Sequence, residues 1–143
     1  MEQTNRNVIT VTNTINAPVK MVWEYWTKPE HITQWNNASD DWHTPSAEND
    51  LRTGGKFTAR MEAKDGSMGF DFGGVYDAVK ENEYIEYTME DGRKVNVRFT
   101  SKGDQTEVVE SFDAEETNSI DMQRDGWQAI LNNFKRYVES RVI

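Results

Sequence analysis

The chain has 143 residues, 16 basic and 25 acidic side chains, two histidines and no cysteine, for a formal charge of −9. That length suits one domain whose core needs no covalent staples, and the missing cysteines exclude disulfides, thiolate metal centres and cysteine nucleophiles. The acidic balance argues against nucleic acid and anionic membrane surfaces as partners, because both are held through Lys and Arg.

The N-terminal run Met1 to Asn7 is polar and lacks the apolar stretch of a secretory signal. Nowhere do the roughly 18 apolar residues of a membrane span follow one another. A cytoplasmic protein without membrane insertion is the expectation. Val8 to Ile15 is β-branched and partly alternating, which predicts a strand. Asn16-Ala17-Pro18 then begins a helix, with Asn16 as a candidate cap and Pro18 in the first turn, where its missing N–H costs nothing. Val19, Val22, Trp23 and Trp26 recur at helical spacing. Thr27-Lys28-Pro29 ends that helix and starts a second short one carrying Ile32 and Trp35. Residues 36–53 are polar and read as a loop, with room for one short strand near Trp42.

Gly54-Gly55 opens a run of five strands joined by tight turns. Lys56 to Lys64 puts Phe57, Ala59, Met61 and Ala63 on one face. Asp65-Gly66 is a type I′ hairpin signal, since both central positions of that turn need positive φ. Met68 to Val79 follows, with Phe70 and Phe72 in phase, and Gly73-Gly74 inside it points to a bulge or sharp bend. The inward set from Val75 to Val79 is therefore open by one residue. Tyr84 to Met89 lies between turns at Glu81-Asn82-Glu83 and Asp91-Gly92. Arg93 to Thr100 sends Val95, Val97 and Phe99 one way and Lys94, Asn96 and Arg98 the other. After Gly103-Asp104, Thr106 to Phe112 is the last strand.

The period then changes. Asn118-Ser119 offers a cap, and Ile120, Trp127, Ile130, Leu131, Phe134, Tyr137 and Val138 recur at spacings of three, four and seven. Asp125, Gln128, Asn132, Lys135, Arg136 and Glu139 fill the opposite face of what is a long amphipathic helix. Grouped strands and segregated helices give an α+β fold: a curved antiparallel sheet of about six strands around the C-terminal helix, with two short helices after the first strand. About six strands span roughly 29 Å, whereas a helix is only about 10–12 Å across. The sheet must curl, and the volume left between it and the helix is either filled by large side chains or open as a pocket. An inward phase rich in Phe, Met, Tyr and Trp suits both outcomes.

The order of elements, Asn16-Ala17-Pro18, the Trp23…Trp26…Pro29…Trp35 spacing and Gly54-Gly55-Lys56-Phe57 resemble the START-like (SRPBCC) superfamily. Gly69-Phe70-Asp71-Phe72-Gly73-Gly74-Val75-Tyr76, Asp91-Gly92-Arg93-Lys94-Val95 and Gly126-Trp127 resemble, within it, the branch named for the activator of heat-shock protein 90 ATPase. The resemblance covers about residues 8–140 of a single 1–143 domain. It implies a helix-grip fold with an apolar cavity under the C-terminal helix. Members of the superfamily bind lipids, polyketide-like and other hydrophobic molecules, and some are cyclases or hydrolases. The branch takes its name from a eukaryotic co-chaperone.

The inward phases nominate the ligand-facing side chains: Phe57 and Met61; Phe70, Phe72 and Tyr76; Tyr87 and Phe99; Trp127 and Ile130. Trp35 and Trp42 flank the polar loop, gating a cavity mouth or packing on the helices. Glu110 shares the phase of Thr106, Val108 and Phe112. A carboxyl facing the helix is partly buried, which raises its pKa and makes it a proton donor or a handle for a ligand hydroxyl. At the sheet end it is instead solvated or paired with Arg98 or Arg60. Gln123, one turn before Trp127, bonds a ligand or satisfies backbone groups at the helix start. Gly126 costs about 1 kcal/mol inside a helix and points to close approach of a strand or to room for a cavity.

His31 and His43, without cysteine or an H-E-x-x-H pattern, give no basis for a zinc site. Neither a nucleophile elbow nor a phosphate loop is present. No metal, no cofactor and no catalytic residue is assigned. The expected function is non-enzymatic binding of a small hydrophobic molecule. One alternative is a cyclase or hydrolase acting on an aromatic or polyketide-like substrate in the same cavity, which needs Glu110, His43 or Arg60 to converge. The other is a co-chaperone-like interaction domain, which needs an exposed patch and no cavity; nothing in the sequence supports a protein partner.

Overall fold

A computed structural model describes residues 7–142. β1 (Val8–Ile15) is followed by α1 (Val19–Thr27) and α2 (Pro29–Trp35). Six strands come next: β2 (Trp42–Asn49), β3 (Lys56–Ala63), β4 (Gly69–Lys80), β5 (Tyr84–Met89), β6 (Lys94–Lys102) and β7 (Gln105–Asp113). α3 (Ile120–Glu139) follows them. The strands form one curled antiparallel sheet in the order β1-β7-β6-β5-β4-β3-β2, so the two short helices carry the chain from one sheet edge to the other.

The sheet has seven strands: beside the six of the pattern, the strand allowed near Trp42 forms and runs eight residues through what otherwise reads as a loop. It is polar and contains Pro45, which a central strand would not tolerate. At an edge the missing N–H is harmless, and the register of β2 on β3 shifts between His43 and Ser46, around that proline. The other strands bury alternate residues as their pattern requires. Ile85, Tyr87 and Met89 of β5, Val95, Val97 and Phe99 of β6, and Thr106, Val108, Glu110 and Phe112 of β7 all point inward. Leu131, Phe134 and Val138 of α3 complete the core.

Two turn and strand expectations change. Gly73 and Gly74 carry no bulge: β3 and β4 stay in register through both, with Thr58 opposite Gly73 and Phe57 opposite Gly74. Side chains are excluded there because a Cβ at Gly73 would strike the Phe57 carbonyl oxygen and one at Gly74 that of Thr88. The register shift falls between Tyr76 and Ala78 on the β5 side, which lets Tyr76 and Val79 both join the core. The Asp65-Gly66 turn is not type I′. Only Gly66 has positive φ, and the Gly66 N–H donates to Ala63 O while the Ala63 N–H donates to Met68 O, a four-residue loop.

Caps divide similarly. Ser119 caps α3 by accepting from the Met122 N–H. Asn16 does not cap α1, whose N-cap is Pro18 without a side-chain bond. Instead Asn16 Oδ1 accepts from Gln105 Nε2 (2.6 Å) and its N–H donates to Glu139 (2.8 Å). The polar face of α3 is also more than a solvated face. Gln128 Nε2 donates to Thr12 O (3.1 Å), Lys135 Nζ to Thr14 O (2.6 Å), and Asn13 Nδ2 to Asn132 Oδ1 (2.8 Å). The helix thereby satisfies the free edge of β1, which would otherwise be open to pairing with another strand.

Candidate functional site

α3 packs against β1 and α2 against β2, so the helices lie toward the two edges of the curl. Between them a pocket of about 220 Å³ remains over β3, β4 and β5. Large side chains fill its walls but do not close it. Phe57 stands edge-on to Tyr87 (ring centroids 4.7 Å, 77°) and packs against Tyr76 (5.1 Å). Phe72 meets Trp127 edge to face at 6.2 Å, and Trp127 lies flat on Phe112 (3.8 Å, 12°). On the helical side, Trp26 and Trp35 both stand edge-on to Phe134 (4.9 and 4.8 Å). The Trp35 indole N–H donates to Tyr25 O (2.9 Å), which fixes that ring. Phe70, 49% exposed, marks the mouth.

Two sets of polar groups stand out in the lining. Asn49 ties the rim together: its Oδ1 accepts from Tyr76 Oη (2.6 Å) and its Nδ2 donates to Thr27 O (2.6 Å). Burial raises the pKa of the Tyr76 hydroxyl. Glu110 and Tyr87 are different. They are 7% and 8% exposed, they line the pocket, and neither side chain has a hydrogen bond or ion pair among the described residues. Burial pushes the Glu110 carboxyl up to about 8, so it holds its proton at neutral pH. The Tyr87 hydroxyl is pushed well above its ordinary value by burial and then by the nearby Glu110.

The structure brings Trp35, Phe57, Met61, Phe70, Phe72 and Tyr76 to the pocket, together with Tyr87, Glu110, Trp127 and Ile130. Three candidates lie elsewhere. Trp42 packs beside Phe70 (6.0 Å) without lining the pocket. Phe99 is buried under α1, edge-on to Trp23 (5.3 Å) and Trp26 (5.8 Å). Gln123 holds the loop ahead of α3: its Oε1 accepts from the Glu115 N–H (2.9 Å), and its Nε2 donates to Glu115 O (3.0 Å) and Asn118 O (2.8 Å). Of its two readings, the structural one describes these bonds.

Glu110 is neither solvated nor paired with an arginine. Arg60 bonds Glu62 (2.9 Å) and reaches Asp71 (3.4 Å) in a half-exposed cluster, and Arg98 covers the Tyr84 ring (4.8 Å). His43 lies 3.9 Å from Glu62 in that same cluster. Glu110, His43 and Arg60 therefore do not converge. His31 stacks on Tyr25 (4.0 Å) and bonds Tyr137 Oη (2.7 Å). No strand crowds Gly126, where an added Cβ would meet nothing within 4 Å. Among the described residues, no three His, Cys, Asp or Glu side chains are grouped to hold a metal ion, and no helix is long and apolar enough to cross a membrane.

The pocket also uses Trp26, Ile32, Ile85 and Asn49. The first three carried a signal, since two lie on helical apolar stripes and Ile85 shares the phase of Tyr87. Asn49 had none, lying in a segment that reads as loop.

A curled antiparallel sheet holding a C-terminal helix, with two short helices near the start, is the helix-grip α+β fold. Residues 16–139 match the family model described as activator of Hsp90 ATPase homolog 1-like protein, and the chain belongs to that family. Among solved structures, an AHSA1-like protein from Aeromonas hydrophila is 45% identical, covers 94% of this chain and 93% of its own, and superposes with a TM-score of 0.88. A protein from Cytophaga hutchinsonii is 60% identical over 92% of each chain, with a TM-score of 0.81. A protein from Chromobacterium violaceum shares the fold at 19% identity, with a TM-score of 0.82 over 91% of this chain and 96% of its own. No curated protein matches.

Proposed function

We propose that this protein binds a small apolar molecule in the pocket between the sheet and α3, without transforming it. One observation carries the reading: a ring-lined space of about 220 Å³ is left open where the rest of the sheet–helix interface is packed. A dry apolar cavity of about 150 Å³ already admits benzene, and drug-sized sites occupy about 300–1,000 Å³. The volume thus favours a compact one- or two-ring molecule over a long acyl chain. The lining supplies broad ring faces and edges and few polar groups, the pattern of sites that hold ligands by burial and orient them by one or two bonds.

The test is a thermal-shift screen of the purified protein against compact aromatic molecules and fatty acids. A melting temperature that rises with the logarithm of ligand concentration, as linkage requires, supports the reading and identifies the chemical class. No shift across the library overturns it.

A further inference from the structure

We infer that the ligand carries a carbonyl oxygen on an otherwise apolar aromatic body, and that this oxygen accepts hydrogen bonds from Glu110 and Tyr87 inside the pocket. The inference rests on the pocket reading above and deepens it. Its basis is where the two groups lie and what they lack. Glu110 stands opposite Val97, which stands opposite Ile85; Tyr87, two residues along from Ile85, stands opposite Val95. The two side chains therefore rise from the same inward face, on strands either side of β6. Two other polar groups in the walls are matched within the chain, Tyr76 Oη by Asn49 and the Trp35 indole by Tyr25 O. The Glu110 carboxyl and the Tyr87 hydroxyl are matched by nothing among the described residues, although both residues are more than nine-tenths buried and line the pocket.

The chemistry of the pair points to an acceptor. A carboxyl that keeps its proton offers one O–H, and a neutral phenol offers another. A carbonyl oxygen has two lone pairs to receive them. An amine would instead need Glu110 ionised in a ring-lined space. The titratable groups around it give that charge no support: Tyr76 and Tyr87 are neutral, Glu48 at the rim has the same sign, and Arg93 is engaged with Asp91 (2.8 Å) and Asp113 O (3.4 Å).

Three probes with one skeleton separate these cases: benzophenone, diphenylmethane and benzhydrylamine, titrated by NMR at pH 6.5. Benzophenone is expected to bind wild type about tenfold more tightly than diphenylmethane, the scale of one to two well-made bonds in a dry site. The gap narrows in Tyr87→Phe and in Glu110→Leu, closes in the double variant, and persists in Glu110→Gln, whose amide still donates. Equal affinity for ketone and hydrocarbon in wild type overturns the inference while leaving the pocket reading intact. Preferential binding of benzhydrylamine also overturns it, by making Glu110 an anionic site. Binding of none of the three overturns this inference, while the pocket reading stands or falls with the wider thermal-shift screen. The wild-type comparison decides the matter even where a variant fails to fold.

Discussion

Replacing Glu110 with glutamine should change how stability depends on pH. The carboxyl titrates near 4.5 in an ordinary setting and near 8 in the folded chain, because burial disfavours its charged form. Below about pH 4.5 both folded and unfolded chains hold the proton, and the carboxyl contributes no pH dependence. Between the two values the folded chain keeps the proton and the unfolded chain releases it. The folded state then binds more protons, so its stability falls as pH rises, by about 1.4 kcal/mol per unit. The loss reaches about 3 kcal/mol at pH 7 and about 4 to 5 kcal/mol once pH passes 8. Glutamine does not titrate, and every other ionisable group is common to the two proteins. Urea unfolding of wild type and Glu110→Gln at intervals from pH 5 to 8.5 isolates the effect. The advantage of the variant should widen steadily across the range and level off above pH 8. A difference that stays flat with pH would mean that the carboxyl is solvated or paired in solution, and the reasoning from its burial would be wrong.

Trp127→Ala removes the ring stacked on Phe112 at 3.8 Å and should cost about 3 kcal/mol, read as a lower urea midpoint with the circular dichroism of the folded state retained. Gly126→Ala should raise stability by about 1 kcal/mol, since the new methyl meets nothing within 4 Å and helix propensity decides the outcome; calorimetry should show a higher melting temperature. Tyr76→Phe deletes the bond to Asn49 and leaves that amide with its Thr27 contact alone, at a cost of about 1 to 2 kcal/mol in chemical denaturation. Ser119→Ala removes the cap on the Met122 N–H and should cost about 1 kcal/mol by the same measurement.

Much of the architecture was legible because it lies in periodicity and punctuation. The alternation in β5, β6 and β7 and the three-four spacing of α3 need only local sequence to read. What was not legible depends on neighbours. β2 is polar because an edge strand needs partners on one side only, so a strand could be placed near Trp42 but its eight-residue length could not be read. The bulge sits at Asp77, where no glycine announces it, while Gly73-Gly74 serve the close approach of two backbone carbonyls. Asn16 reads as a cap from its type and place, yet Gln105 and Glu139, remote in sequence, claim its polar groups. In the pocket, period two placed Glu110 inward correctly. Its lack of a partner could not be read, because that turns on Arg60 and Arg98 being engaged elsewhere, with Glu62 and Asp71 and with the Tyr84 ring.

That missing partner bears on why the space under α3 is there at all. A packing defect lined by rings would be apolar throughout, since placing a carboxyl and a phenol against it only lowers stability. Here the two groups face the pocket with no partner from the chain, in a molecule whose whole stability, for a domain of this size, is on the order of 5–15 kcal/mol. Leucine at 110 and phenylalanine at 87 would fill the same positions and avoid that cost. A role confined to the outer surface gives no account of either group. A bound molecule with an acceptor oxygen does, because it offsets the desolvation of both at once and fills the volume beside them. A trade-off follows: Glu110→Leu should be the more stable protein in the absence of ligand and the weaker binder of a ketone, and a variant that is both less stable and equally able to bind would contradict it.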